Sequence, residues 1–137
     1  MPTMPWTPGP ERPAADTPVV VMASRLELRR YRDVPGFLRA AMALRRELRT
    51  ADGAVGLALA AQPLRKTFWT LSAWRDDAAL RGYTRNPTHV AVMRRYHDRM
   101  AQATFRTWTE AAGTAPPDWA AARARLAVPE GAAEQAA

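Results

Sequence analysis

Two consecutive stretches, Ala54 to Leu64 and Lys66 to Arg75, constrain this chain more than any other feature. In the first, Val55, Leu57 and Leu59 alternate with Ala54, Gly56, Ala58 and Ala60; in the second, Phe68, Thr70, Ser72 and Trp74 alternate with Trp69, Leu71 and Ala73. Alternation with a period of two is the pattern of a strand. Neither strand has a charged face, so both must be covered on both sides. Pro63 to Arg65 supplies the turn between them.

The flanking segments predict what does the covering. Pro18 introduces VVVMASRLE, a β-branched run that reads as a strand to about Glu27, and Arg29 to Asp33 is a connection. From Val34 to about Thr50, Phe37, Leu38, Ala41, Leu44 and Leu48 recur at helical spacing, with Pro35 in the first turn and Ala51-Asp52-Gly53 as the stop. Asp76 caps a helix over Asp77 to Tyr83. Asn86 caps the next, which opens on Pro87 and runs to about Arg99. Ala101 to Glu110 is the fourth strand, and Pro117 starts a short helix from Asp118 to Leu126. The order is β-α-β-β-α-β, a ferredoxin-like α+β domain over residues 18–110 with a four-stranded antiparallel sheet. Its helices cover one side only, and the economical cover for the other is a second identical sheet, which makes a dimeric α+β barrel. Residues 1–17, with Pro2, Pro5, Pro8, Pro10 and Pro13 and Trp6 as sole anchor, predict a disordered proline-rich arm; residues 111–137 predict the short helix and a disordered tail.

Composition narrows the chemistry. At 137 residues there is one domain with a small core, which makes a homodimer the expected state. The absence of cysteine excludes disulfides, thiolate nucleophiles and cysteine-ligated metals. No apolar run approaches a membrane span, and no signal-peptide pattern opens the chain, so the expected location is the cytoplasm, without a membrane partner. The net charge of +7 comes from nineteen arginines and one lysine, Lys66. Arg39, Arg45, Arg46 and Arg49 on one helix and Arg94, Arg95 and Arg99 on another read as solvated faces, and no nucleic-acid motif accompanies them.

Both histidines lie on the helix that follows Asn86-Pro87. At about 100° per residue, His89, Met93, Tyr96, His97 and Met100 share the apolar side, opposite Arg94, Arg95, Asp98 and Arg99. His89 is either a neutral core histidine bonded to a carbonyl or a general base tuned near neutrality. His97, nearer the helix end, suits helix termination or a supporting role. The hydroxyls of Tyr83 and Tyr96 are possible donors to a substrate oxygen. Met93 is core filler or part of a binding wall, and Trp69 and Trp74 pack the sheet or hold a planar substrate. His89 and His97 are two turns apart, roughly 12 Å, too far to share one metal ion.

The stretch GAVGLALAAQPLRKTFWTLSAWRDDAALRGYTRNPTHVAVMR resembles the core of the antibiotic biosynthesis monooxygenase superfamily, and within it is most similar to the spheroidene monooxygenase-like branch. The likeness spans about Val19 to Glu110 and rests on a strand ending in Trp74, the pair Asp76-Asp77, the Ala79-Leu80 helix and then His89. It implies a pocket inside each subunit between sheet and helices, lined by His89, Met93, Tyr96, His97 and Tyr83, with the small face of the second strand as floor. Relatives include cofactor-free oxygenases, haem enzymes and proteins without known activity. Tyr83 falls where the haem-degrading members keep a helix tryptophan, and Met93 where they keep the iron-binding histidine. The resemblance implies a monooxygenase-like tailoring enzyme for a hydrophobic aromatic or conjugated small molecule, needing no cofactor. The alternatives are a haem enzyme with His89 or His97 as axial ligand, or a non-catalytic dimeric binding or accessory protein.

Overall fold

A computed structural model of the chain describes residues 3–114 and 118–127. Five strands, β1 (Thr3–Pro8), β2 (Pro18–Leu28), β3 (Ala54–Gln62), β4 (Thr67–Trp74) and β5 (Met100–Ala111), form one sheet in the order β1-β3-β4-β2-β5. Every neighbouring pair is antiparallel. The helices are α1 (Val34–Leu48), α2 (Asp77–Thr84), α3 (Pro87–Tyr96) and α4 (Trp119–Ala127). From β2 to β5 this is the expected β-α-β-β-α-β arrangement.

The local signals act as the sequence predicts. Gly53 closes the turn from α1 to β3 with φ of 76°, a left-handed conformation that costs glycine little. The Ala79 N–H donates to Asp76 Oδ1 at 2.8 Å and the His89 N–H to Asn86 Oδ1 at 2.9 Å, so both helices begin on a side-chain cap. No helix among the described residues is long and apolar enough to cross a membrane.

The amino-terminal segment departs from expectation. Thr3–Pro8 is not a disordered arm but a fifth strand on the edge beside β3. Proline is tolerated there because an edge strand leaves one row of backbone groups without a partner, and the register is interrupted between Met4 and Thr7, where Pro5 falls. Trp6 fixes the strand. A β-carbon on Gly56 would lie 2.1 Å from its indole, so the ring occupies the space a side chain would need. Arg45 Nε reaches across from α1 to donate to Thr7 Oγ1 at 2.6 Å, and the Gly9 N–H donates to the Val55 carbonyl at 3.0 Å.

The face of the sheet opposite α1–α3 is also closed within one chain. Val21, Ala23, Leu71 and Ala73 are fully buried there, packed with Ala122 and Leu126 of α4 and flanked by Trp6, Trp108 and Trp119. This is the face for which a second identical sheet is the expected cover. Trp6 and α4 supply the missing layer instead. The expected carboxy-terminal tail beyond Ala127 lies outside the described residues, as does Pro117.

Candidate functional site

Between the helix-facing side of the sheet and α1, α2 and α3 lies a cavity of about 230 Å³. Its walls are overwhelmingly aliphatic and aromatic, with Leu57 and Leu59 of β3, Phe68 and Trp74 of β4, and Phe37 and Leu44 of α1. A concave apolar wall of this kind, with few polar groups, is the usual form of a small-molecule site. The small face of β3 is not its floor. Gly56 and Ala58 turn to the other side, toward Trp6 and Leu71, and of that face only Ala60 borders the cavity.

His89 lines the cavity from the first turn of α3. The Asn86 cap fixes the backbone at this residue, and the ring stands edge-on to Tyr83 with centroids 5.6 Å apart. Its Nδ1 is buried with no hydrogen-bond partner among the described residues. Burial disfavours the imidazolium and lowers the pKa below the ordinary 6.5, opposed by the Thr84 backbone carbonyl. The ring is therefore neutral at pH 7, the form that accepts a proton.

That shift has a consequence for stability. Between the lowered native value and 6.5 the unfolded chain binds the proton and the folded chain does not, so stability is undiminished above pH 6.5 and falls as pH drops through that window. Urea unfolding measured from pH 7.5 to 5 should show a steeper loss for the native protein than for His89→Gln. Parallel curves for the two proteins would mean that His89 is not held neutral by the fold.

Tyr83 also lines the cavity, but its hydroxyl donates to the Leu44 carbonyl at 2.7 Å. Burial, reinforced by Glu47, pushes its pKa well above that of a free phenol. The proton is thus tied to the α1 backbone, and the ring serves as wall, 5.0 Å from Trp74. The donor role expected of Tyr83 is not open to it in this arrangement.

The remaining expected site residues divide. Met93 and Trp74 line the cavity. Trp69 borders it from β4, but its ring packs on the opposite side of the sheet, with the Arg123 guanidinium 5.1 Å from its centroid. Tyr96 is not in the lining; 1% exposed, it packs edge-on against Phe37 at 5.1 Å in the cluster with Leu26 and Leu28. His97 is exposed and stands apart from the cavity. The column of His89, Met93 and His97 assumed an α-helix to Arg99, whereas α3 ends at Tyr96 and His97–Arg99 wind as a 3₁₀ turn. Three residues per turn instead of 3.6 rotate His97 out of line.

The sequence reading missed three hydroxyls. Ser24 of β2 and Thr70 and Ser72 of β4 line the cavity; Ser24 and Thr70 are paired in register and share a hydrogen bond, and Trp74 Nε1–H donates to Ser72 Oγ at 2.9 Å. The available signal was the run of small polar residues between Phe68 and Trp74 on a face otherwise apolar.

No family model matches the sequence, and no curated protein matches it either. Solved structures do. A protein from Bacteroides thetaiotaomicron named "Putative antibiotic biosynthesis monooxygenase" superposes with a TM-score of 0.58 at 16% identity, over 64% of this chain and 84% of that one. A second, named simply antibiotic biosynthesis monooxygenase, gives 0.57 at 13% identity over 68% and 97% of the two chains. PA3566 from Pseudomonas aeruginosa gives 0.60 at 19% identity over 73% and 100%. This is the fold of the antibiotic biosynthesis monooxygenases. Identities this low speak for the fold alone.

Haem is the cofactor the likeness to the haem-dependent members of that fold implies, and the residues present do not fit it. His89 is the one imidazole in the lining, and Met93 lies a turn away on the same side of α3, so the wall supplies at most a single axial ligand. No arginine or lysine is in the lining to receive the propionates. Among the described residues no three His, Cys, Asp or Glu side chains gather in one place.

Proposed function

We propose that this protein is a monooxygenase-like tailoring enzyme that acts on a hydrophobic aromatic or conjugated small molecule without a cofactor, with His89 as general base. The observation that carries this reading is a mostly apolar cavity in which the one imidazole of the lining is half-buried and its charged form disfavoured. Neutral His89 takes a proton from an acidic C–H or O–H of the bound molecule. The resulting anion is electron-rich enough to pass one electron to dioxygen. Recombination forms a C–O bond, and loss of water, with the proton returned from His89, leaves a carbonyl. One CH₂ group and one dioxygen give one carbonyl and one water, so no outside reductant enters the balance. Apolar walls suit the step because they exclude the water that would otherwise reprotonate the anion.

The spheroidene monooxygenase-like branch, matched by Trp74, Asp76-Asp77, Ala79-Leu80 and His89, belongs to this proposal, as does a homodimer. On the outer strand β5, Phe105 is 44% exposed and is the point at which a second copy would pack.

The deciding experiment pairs an absorption spectrum, before and after titration with haemin, with oxygen uptake on phenolic polycycles. We expect no saturable Soret band and oxygen consumption equal to carbonyl formed, with the acid limb of the rate profile below pH 6.5. A saturable Soret band lost in His89→Ala would replace this reading with a haem enzyme. Binding without oxygen uptake would replace it with a non-catalytic binding protein.

A further inference from the structure

The cavity floor contains a polar patch whose hydrogen bonds are incomplete. On the helix-facing side of β2 and β4 the register sets Met22 opposite Ser72 and Ser24 opposite Thr70. Ser24 and Ser72 are 1% and 3% exposed, and both, with Thr70, line the cavity. Each hydroxyl carries one proton to donate and two lone pairs to receive. The Ser24–Thr70 bond uses one of that pair's two protons. Ser72 only accepts, from Trp74 Nε1, and its own proton has no acceptor in the hydrogen bonds of the described residues. Two O–H donors are therefore left over on an apolar floor. A buried donor without an acceptor is unfavourable, and it gains most from a ligand that brings one.

The other buried or half-buried polar groups of the wall do not compete for that role, and Thr3, also in the lining, is exposed to solvent at the sheet edge. The Tyr83 proton is held by the Leu44 carbonyl, and the Thr84 hydroxyl donates to the Arg81 carbonyl at 3.0 Å. His89, neutral, is the proton acceptor. Donors on the floor and an acceptor on α3 define a ligand with an apolar body and one oxygen that accepts hydrogen bonds.

We propose that Ser24, Thr70 and Ser72 form an oxygen-receiving patch that selects apolar ligands bearing a ketone or phenolate oxygen over hydrocarbons of the same shape. This rests on the reading of the cavity as the substrate site and deepens it. The donors strengthen their bonds as negative charge gathers on that oxygen, so the patch supplies the oxyanion stabilisation that Tyr83 and Tyr96 do not.

The test compares 2-acetylnaphthalene with 2-isopropenylnaphthalene, in which C=CH₂ replaces C=O, by calorimetric titration of the full chain. The native protein should bind the ketone at least about tenfold more tightly than the alkene, the scale of one or two good hydrogen bonds. Ser72→Ala, and separately the double variant Ser24→Ala with Thr70→Val, should each bring the ratio below about threefold while leaving alkene affinity unchanged. The double variant removes both members of a pair and leaves no orphan. Equal binding of both probes by the native protein overturns the patch but leaves the cavity as a ligand site, and so does a ratio that survives both variants. Failure of both probes to bind overturns the patch together with the reading of the cavity on which it rests.

Discussion

Replacing Trp74 by alanine should lower the unfolding free energy by about 3–5 kcal/mol, the range for truncating a buried aromatic in a packed core. Trp74 is 1% exposed and joins Leu48, Leu57 and Leu80 in the cluster beneath α1 and α2. Its ring lies 5.0 Å from that of Tyr83, and its N–H is the donor to Ser72 Oγ. The cavity is already on one side of it, so the space vacated cannot be refilled by collapse from that direction, which argues for the upper part of the range. Trp74→Phe keeps much of the apolar contact and removes the hydrogen bond, and should cost only about 1–2 kcal/mol. Urea denaturation followed by far-ultraviolet circular dichroism reads both. A loss below about 1 kcal/mol for Trp74→Ala would mean that the β4 end of the sheet is not packed as described.

His89→Ala should produce the opposite profile, with oxygen-dependent turnover down by roughly 10²–10⁴, the contribution of a positioned general base, and little change in melting. Its side chain is half-buried, and its Nδ1 has no partner to lose. The cap that starts α3 uses the backbone N–H of residue 89 and survives the substitution. Turnover should then be partly restored by added imidazole, which the vacated space can admit. A variant that unfolds yet keeps its specific activity would defeat the assignment of His89 as the base. Met93→Leu is the control on the same wall, and it should leave the pH profile where it is because it removes no titrating group.

Much of this architecture was legible because local signals and global fold agree. Asp76 and Asn86 announce their helices by side-chain chemistry that needs no tertiary contact, and they cap as expected. The alternation in β3 and β4 located a hairpin with two covered faces, and both are covered. His89, Met93, Trp74 and Tyr83 all border one cavity, and for the two on α3 the helix wheel gives the direction because the helix keeps its pitch within a few residues of its cap. The wheel failed eight residues on, where α3 tightens into a 3₁₀ turn and His97 leaves the line. Periodicity gives a direction for each side chain only as long as the helix keeps its pitch. Tyr96 faces inward as the wheel required, but inward there means the cluster around Phe37.

By itself, then, the sequence determined four of the five strands, the helices, their caps and the α+β order, because these follow from period, propensity and side-chain capping within a few residues. Tertiary structure decided three things that no local pattern carries. Trp6 turns a proline-rich segment into an edge strand, since the space its indole fills exists only because Gly56 lies across the sheet. The small helix α4, with Ala122 and Leu126, covers a face that otherwise called for a second copy. The site's polar chemistry was settled by partners distant in the chain: Leu44 holds the Tyr83 proton across 39 positions, and Ser24 meets Thr70 across 46. A hydroxyl's or an imidazole's role depends on which of its hydrogen bonds are already made, and those partners come together only when the sheet and the helices close over one another.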